Sequence, residues 1–219
     1  MNKKQTVGLA LGSGSAKGLA HIGVLKVLLR ENIPIDLITG SSIGSLVGAL
    51  FVSGTDLNIL EKLFCSLQQN KLIDVVVPRF GLIKGEKIES VLRLLTKNMT
   101  FKDLNIPLYA VAVDIERGKQ VVLEEGLVAE AVRASISIPG IFQPKRLNGK
   151  LLVDGAVLNR VPVELAREKG AQIVIAVDLK CDSSISKVKS IQNIFDVILT
   201  SLDLIEANSA IDYQIISDV

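Results

Sequence analysis

A serine flanked by glycines, an aspartate set before a glycine, and a loop of alternating glycine and serine are the residues whose types and spacing could do chemistry. The serine is Ser42, in Gly40-Ser41-Ser42-Ile43-Gly44. A G-x-S-x-G segment between a strand and a helix forms a sharp elbow that leaves the central hydroxyl exposed at a helix N-terminus. Gly40 and Gly44 would permit that turn and close helix–strand packing. The bland alternative is a Gly/Ser turn that only lets a helix lie near a sheet. The aspartate is Asp154, in Leu151-Leu152-Val153-Asp154-Gly155-Ala156, where an apolar strand carries the acid to its C-terminal end. Ligands of open α/β sheets bind outside the carboxyl ends of strands, so Asp154 is expected at the edge that presents Ser42. It could equally be a turn-forming Asp-Gly. The loop is Gly12-Ser13-Gly14-Ser15-Ala16-Lys17-Gly18. Consecutive N–H groups entering a helix make an anion cradle, for a phosphate or for the oxyanion of an acyl-transfer intermediate.

A serine nucleophile needs a base, and the chain has one histidine. His21 precedes Ser42 and none follows, against the nucleophile–acid–histidine order of common hydrolases. Lying in a helix one turn after Lys17, it reads as a packing or hydrogen-bonding residue. The base for Ser42 is therefore expected to be a carboxylate, with Asp154 the best candidate. An ordinary Asp, with a pKa of about 3.9, is a weak base for a hydroxyl, and partial burial would improve the match. One histidine also excludes multi-His metal sites, and neither metal nor cofactor is expected. The loop fails as a dinucleotide fingerprint. Its spacing differs from G-x-G-x-x-G, and Asp36 lies near the start of the second strand instead of its end. It fails as a Walker A motif because Gly18 follows Lys17.

Positioning these groups takes an α/β domain, and the composition allows one. The 219 residues, 48% apolar and 22% charged, exclude disorder and suit a single core. A net charge of +2, from 25 basic and 23 acidic residues, offers no case for nucleic acid or a polybasic membrane anchor. Six Phe, two Tyr and no Trp leave the core to aliphatic side chains. The apolar run Val7 to Leu11 is too short for a signal peptide. The uncharged stretch between Asp36 and Asp56 is too rich in Ser, Thr and Gly for a membrane span. Cys65 and Cys181 read as free buried thiols in a reducing, cytoplasmic compartment rather than as one disulfide.

Strand and helix patterns alternate along the chain. Residues 6–11 read as a strand buried on both faces, 16–31 as a helix, 35–39 (IDLIT) as a strand and 43–53 as a helix. Two such βα units imply a parallel sheet covered by helices. Helices over 55–69 and 85–97 precede a hairpin of 107–114 with 119–123. Then come a helix over 127–136, a break at Pro139-Gly140, a hairpin turning at Asn148-Gly149, a helix over 161–169 and a strand over 172–178. A polar loop over 181–187, a long helix over 188–208 and a short strand candidate at 213–216 (YQII) complete the reading.

In chain order, the glycine-rich loop, the G-x-S-x-G and Asp-Gly-Ala together resemble the patatin-like phospholipases, in particular the compact bacterial type. The blocks GLAHIGVLKVL, IPIDLITGSSIGSLVGAL, VRASISIPGIF, LLVDGAVLNRVPVELAREKGA and IVIAVD are similar to that family as well. The resemblance implies a three-layer α/β sandwich with a mostly parallel central sheet flanked by helices. It also implies acyl-ester hydrolysis by a Ser-Asp dyad without histidine. On that basis Ser42 is the nucleophile, Asp154 is its base, and the N–H groups of Ser13, Gly14 and Ser15 form the oxyanion hole. Lys17 matches the family's usual basic residue, steering an anionic head group or orienting the loop. Ser13 and Ser15 stand where the family commonly carries glycine. Relatives continue past the strand resembling YQII with another helix, so residues 1–219 read as one domain lacking that helix.

The expected partner is a lipid or other acyl ester, as for a phospholipase, lysophospholipase or esterase. Residues 72–83 (LIDVVVPRFGLI) read either as an acyl-chain entry surface in transient, peripheral contact with a membrane or as an ordinary edge strand or buried loop. Three alternatives stand beside the hydrolase. One is an acyltransferase sharing the acyl-enzyme, another a catalytically weak regulatory or lipid-binding member of the fold, and the most distant a nucleotide-binding module. Oligomeric state is open.

Overall fold

The first two strands carry apolar and small residues on both faces, and that demands helices on both sides of the sheet. β1 (Val7–Leu11) is VGLAL and β2 (Leu37–Ser41) is LITGS, and every residue of both is buried. A computed structural model describes residues 5–67 and 81–179, together with 197, 198, 200 and 201. Met1–Cys181 group as one compact unit and Asp182–Val219 as another, and the account below concerns the first. Its helices are α1 (Leu19–Arg30), α2 (Ile43–Val52), α3 (Leu57–Leu67), α4 (Glu86–Leu95), α5 (Val128–Ser135) and α6 (Val163–Glu168). Its further strands are β3 (Gly81–Ile83), β4 (Leu108–Asp114), β5 (Lys119–Leu123), β6 (Gly140–Phe142), β7 (Lys145–Leu147), β8 (Lys150–Asp154) and β9 (Ile173–Val177).

The main sheet has the order β7-β8-β4-β2-β1-β9, with β5 also paired to β4. β4, β2, β1 and β9 are mutually parallel. β5 and β8 run antiparallel to β4, and β7 antiparallel to β8. Alternate residues of each strand face opposite layers. Ile38 and Leu108 meet Gly48 of α2 and belong to the large core with Leu9, Leu11, Ile22 and Leu50. Leu37 instead packs with Ala166 of α6 and Ala171 in a smaller cluster. Helices therefore cover both faces of a mixed sheet, the three-layer arrangement expected. Each Leu or Ile so buried contributes about 1.5–3 kcal/mol.

Departures from the expected elements have local causes. The helix expected from residue 16 opens with a 3-10 turn, Ser15–Gly18, before α1 begins. β2 continues two residues past Thr39, because Gly40 and Ser41 still pair with Ala110 and Val111 of β4. Ladder pairing overrides the turn preference of small polar residues. β3 and β6 form a separate parallel pair that sequence periodicity missed, three residues being too few to show a period. Both hairpins form as expected. The second turns through Asn148 (φ 48°) and Gly149 (φ 73°), the two left-handed residues of a tight hairpin loop. Cys65 is a free thiol but is exposed, correcting the expectation of burial, since it faces outward on α3. Residues 72–80, Cys181, the 181–187 loop, nearly all of 188–208 and 213–216 lie outside the described residues. Among those described, no helix is long and apolar enough to cross a membrane.

Candidate active site

β4 brings the two chemically capable side chains together, because one of its edges is shared by two strands in succession. β2 runs parallel along it and ends with Ser41 opposite Val111. β8 runs antiparallel along it and ends with Asp154 opposite Ala112. β5 pairs with the same stretch of β4 and so takes its other edge. The C-terminal ends of β2 and β8 therefore meet tip to tip. This differs from the expectation that Asp154 leaves the sheet at the same edge as Ser42. The hairpin reverses β8, and the two ends converge instead. Ser42 Oγ donates a hydrogen bond to Asp154 Oδ2 at 2.6 Å.

Backbone geometry at the elbow is costly and tightly supported. Ser42 sits at φ 53°, ψ −122°, a conformation that costs a side-chain-bearing residue about 1–3 kcal/mol. The flanking glycines exist because nothing larger fits. A Cβ on Gly40 would lie 2.6 Å from the Ser45 backbone, and one on Gly44 would lie 2.0 Å from the Leu11 carbonyl oxygen. Ser45 Oγ donates to the Ser42 carbonyl at 2.6 Å. The Ser42 N–H donates to Ser135 Oγ at 3.1 Å. The Ala156 N–H donates to Asp154 Oδ1 at 2.9 Å, which leaves Oδ2 turned toward the serine. Asp154 is 3% and Ser42 6% exposed. A buried carboxylate aligned on a hydroxyl at a helix N-terminus can take up that proton as the oxygen attacks an electrophile.

The glycine-rich loop embraces this elbow. A Cβ on Gly44 would also approach the Gly12 carbonyl oxygen, and Gly18 lies against the Ile43 side chain. The three N–H groups expected to serve an oxyanion are not equivalent. The Gly12 N–H donates to Val177 O at 3.0 Å, and the Ser13 N–H donates to Arg160 O at 2.9 Å. Ser13 is thus engaged inside the protein. No such partner is found for the Gly14 N–H among the described residues, and Ser15 opens the 3-10 turn. Lys17 is exposed and its Nζ donates to Leu179 O at 3.1 Å, which orients the loop against the segment after β9.

His21 has a structural position. It is fully buried, and with a carbonyl as its partner its Nε2–H must be the donor, to Gly12 O at 2.7 Å. Nδ1 has no partner among the described residues. Burial holds the imidazole below its ordinary pKa of 6.5, and the bond to Gly12 offsets this only in part. The unfolded chain then binds a proton that the folded chain does not, so stability is constant above that pH and falls as pH drops below it. Thermal melts between about pH 7.5 and 5.5 should show wild type losing stability more steeply on acidification than His21→Gln. Parallel curves would refute a neutral buried His21.

Sequence reasoning singled out neither Ser135 nor the tether from His21 to Gly12. No motif marks a hydroxyl whose partners are backbone atoms of remote strands.

A family profile described as patatin-like phospholipase matches residues 9–167, a span that includes the loop, Ser42 and Asp154. An uncharacterised NTE family protein of Mycobacterium tuberculosis is 38% identical over 176 residues, covering 79% of this chain and 49% of the relative. Patatin-like phospholipase domain-containing protein 7 of Rattus norvegicus is 33% identical over 181 residues, covering 79% of this chain and 13% of the relative. The chain thus spans half or less of the length of these curated relatives. Among solved structures, VipD from Legionella pneumophila shares the fold with a TM-score of 0.60 at 14% identity, over 71% of this chain and 46% of that one. By the profile match over residues 9–167, the chain belongs to the patatin-like phospholipase family.

Proposed function

We propose that this chain is a serine lipid acyl hydrolase working through a Ser42–Asp154 dyad. The observation that carries the reading is the 2.6 Å bond from Ser42 Oγ to Asp154 Oδ2 at a strained elbow, in a chain of this family. Ser42 Oγ attacks the ester carbonyl carbon while Asp154 accepts its proton. The developing oxyanion is met by the Gly14 and Ser15 N–H groups, with the N-terminus of α2 adding its dipole. Ser13 contributes by anchoring the loop through Arg160. Asp154 returns the proton to the departing alcohol and leaves an acyl-Ser42 ester. A water then gives a proton to Asp154 as it attacks that ester, and Asp154 passes the proton to the departing Ser42 Oγ, releasing the carboxylic acid and restoring both residues. Lys17, exposed beside the loop, would favour an anionic head group. In this reading the chain works in the cytoplasm and contacts membrane lipid peripherally.

A fluorophosphonate probe combined with a panel of acyl esters varied in chain length and head group tests the proposal. Stoichiometric labelling of wild type and release of free fatty acid from at least one ester are expected. Absence of both would sink it. The same panel, supplemented with an alcohol or lysolipid acceptor, separates hydrolysis from acyl transfer by the product formed.

A further inference from the structure

We infer that Ser135, in the last turn of α5, is a positioning residue for acylation, splicing the strand ladder at the nucleophile. The inference rests on the Ser42–Asp154 reading above. In the parallel pairing of β2 with β4, the Ile38 N–H donates to Pro107 O. Such bonds recur at every second residue of a parallel ladder, so the Ser42 N–H would next meet Val111 O. It does not, because the chain turns at Ser42 with φ 53° and carries that N–H off the ladder. The Ser135 hydroxyl fills the gap. It accepts from the Ser42 N–H at 3.1 Å and donates to Val111 O at 2.6 Å. Ser135 is wholly buried, so no solvent replaces either contact.

The same turn holds the base. The Asp154 N–H donates to Ser137 O at 3.0 Å, which places both members of the dyad on one mount. That mount is anchored by Arg133, which is 2% exposed. Arg133 Nη1 donates to Ser137 Oγ at 2.6 Å, and Ser137 Oγ donates back to Arg133 O at 2.8 Å. Its Nε donates to Gly85 O, and its Nη2 to Lys84 O and Gln143 O. The carbonyls of Lys84, Gly85 and Gln143, all outside it, thus fix the turn that carries Ser135.

Without the Ser135 hydroxyl, the Ser42 N–H and Val111 O are either left unpaired or close onto each other, and both outcomes move Ser42 Oγ relative to Asp154. Ser135→Ala should lower kcat and the fluorophosphonate labelling rate by about ten- to a hundred-fold, with KM changed less than about threefold. Ser135→Cys, which keeps a weak donor and acceptor, should fall between that variant and wild type. Ser53→Ala removes another buried hydroxyl, one with no partner among the described residues, and should match wild type. A folded Ser135→Ala with wild-type kcat and labelling overturns the inference. So does a loss that merely tracks the unfolded fraction at the assay temperature. If the alanine variant does not fold, a cysteine variant at full wild-type rate overturns it. An inert wild type overturns the dyad reading and this inference together, whereas an active wild type with an unimpaired Ser135→Ala overturns this inference alone.

Discussion

Ser42→Ala is expected to abolish covalent labelling by a fluorophosphonate and to lower ester hydrolysis by about ten-thousand-fold or more. The size of the effect follows from what the hydroxyl does. In the proposed mechanism it is the atom that forms the acyl bond, and the nearby hydroxyls of Ser45 and Ser135 are committed elsewhere, to the Ser42 carbonyl and to Val111 O. Residual turnover would come from the loop and the helix N-terminus acting on a bound ester with water as nucleophile. The variant should still fold. Alanine keeps the same unfavourable φ, while Asp154 loses a buried donor at a cost of about 1–3 kcal/mol. Ser42→Gly should be equally inactive yet less destabilised, because glycine carries no penalty at positive φ. Undiminished labelling of either variant would mean that another residue is the nucleophile.

Asp154→Asn should reduce kcat by about ten-thousand-fold while preserving the fold. The amide is close in shape to the carboxylate. Its oxygen can still accept from the Ala156 N–H, which places the NH2 toward Ser42 where Oδ2 now accepts. A group that donates to the hydroxyl cannot remove its proton. Slow fluorophosphonate labelling should persist, since Ser42 remains in place, and the rate of labelling should fall in step with kcat. Activity within tenfold of wild type would remove Asp154 from the role of base. His21 is poorly suited to replace it: Nε2 is committed to Gly12 O, and burial disfavours its protonated form.

Much of this site could be read from residue types alone, for a physical reason. Gly40, Ser42 and Gly44 are close in sequence, and the elbow's constraints are local. The backbone of Ser45 and the end of β1 leave no room for side chains at the glycines. Asp154 was legible as an acid ending an apolar strand, and the lone His21 as a packing and hydrogen-bonding residue. Ser135 was not legible, because its hydroxyl acts on Ser42 and Val111, which are remote in sequence. Nor was the inequality within the glycine-rich loop. The engagement of the Ser13 N–H depends on where Arg160 falls after the turn that follows β8.

Alternating apolar and polar periods, short connections and strands of VGLAL type were sufficient to determine a parallel-sheet core and both hairpins, and to single out Ser42 and Asp154 as candidates. These are consequences of solvation and local sterics, which each segment carries within itself. Tertiary structure alone decided that β8 turns back along the edge of β4 that β2 has just vacated. Only that arrangement sets Ser42 and Asp154 tip to tip and lets the end of α5 and the turn after it reach both, through Ser135 and Ser137. Strand partners are chosen by packing and hydrogen bonding between segments over a hundred residues apart, so no single segment encodes the 2.6 Å contact on which the proposed chemistry depends.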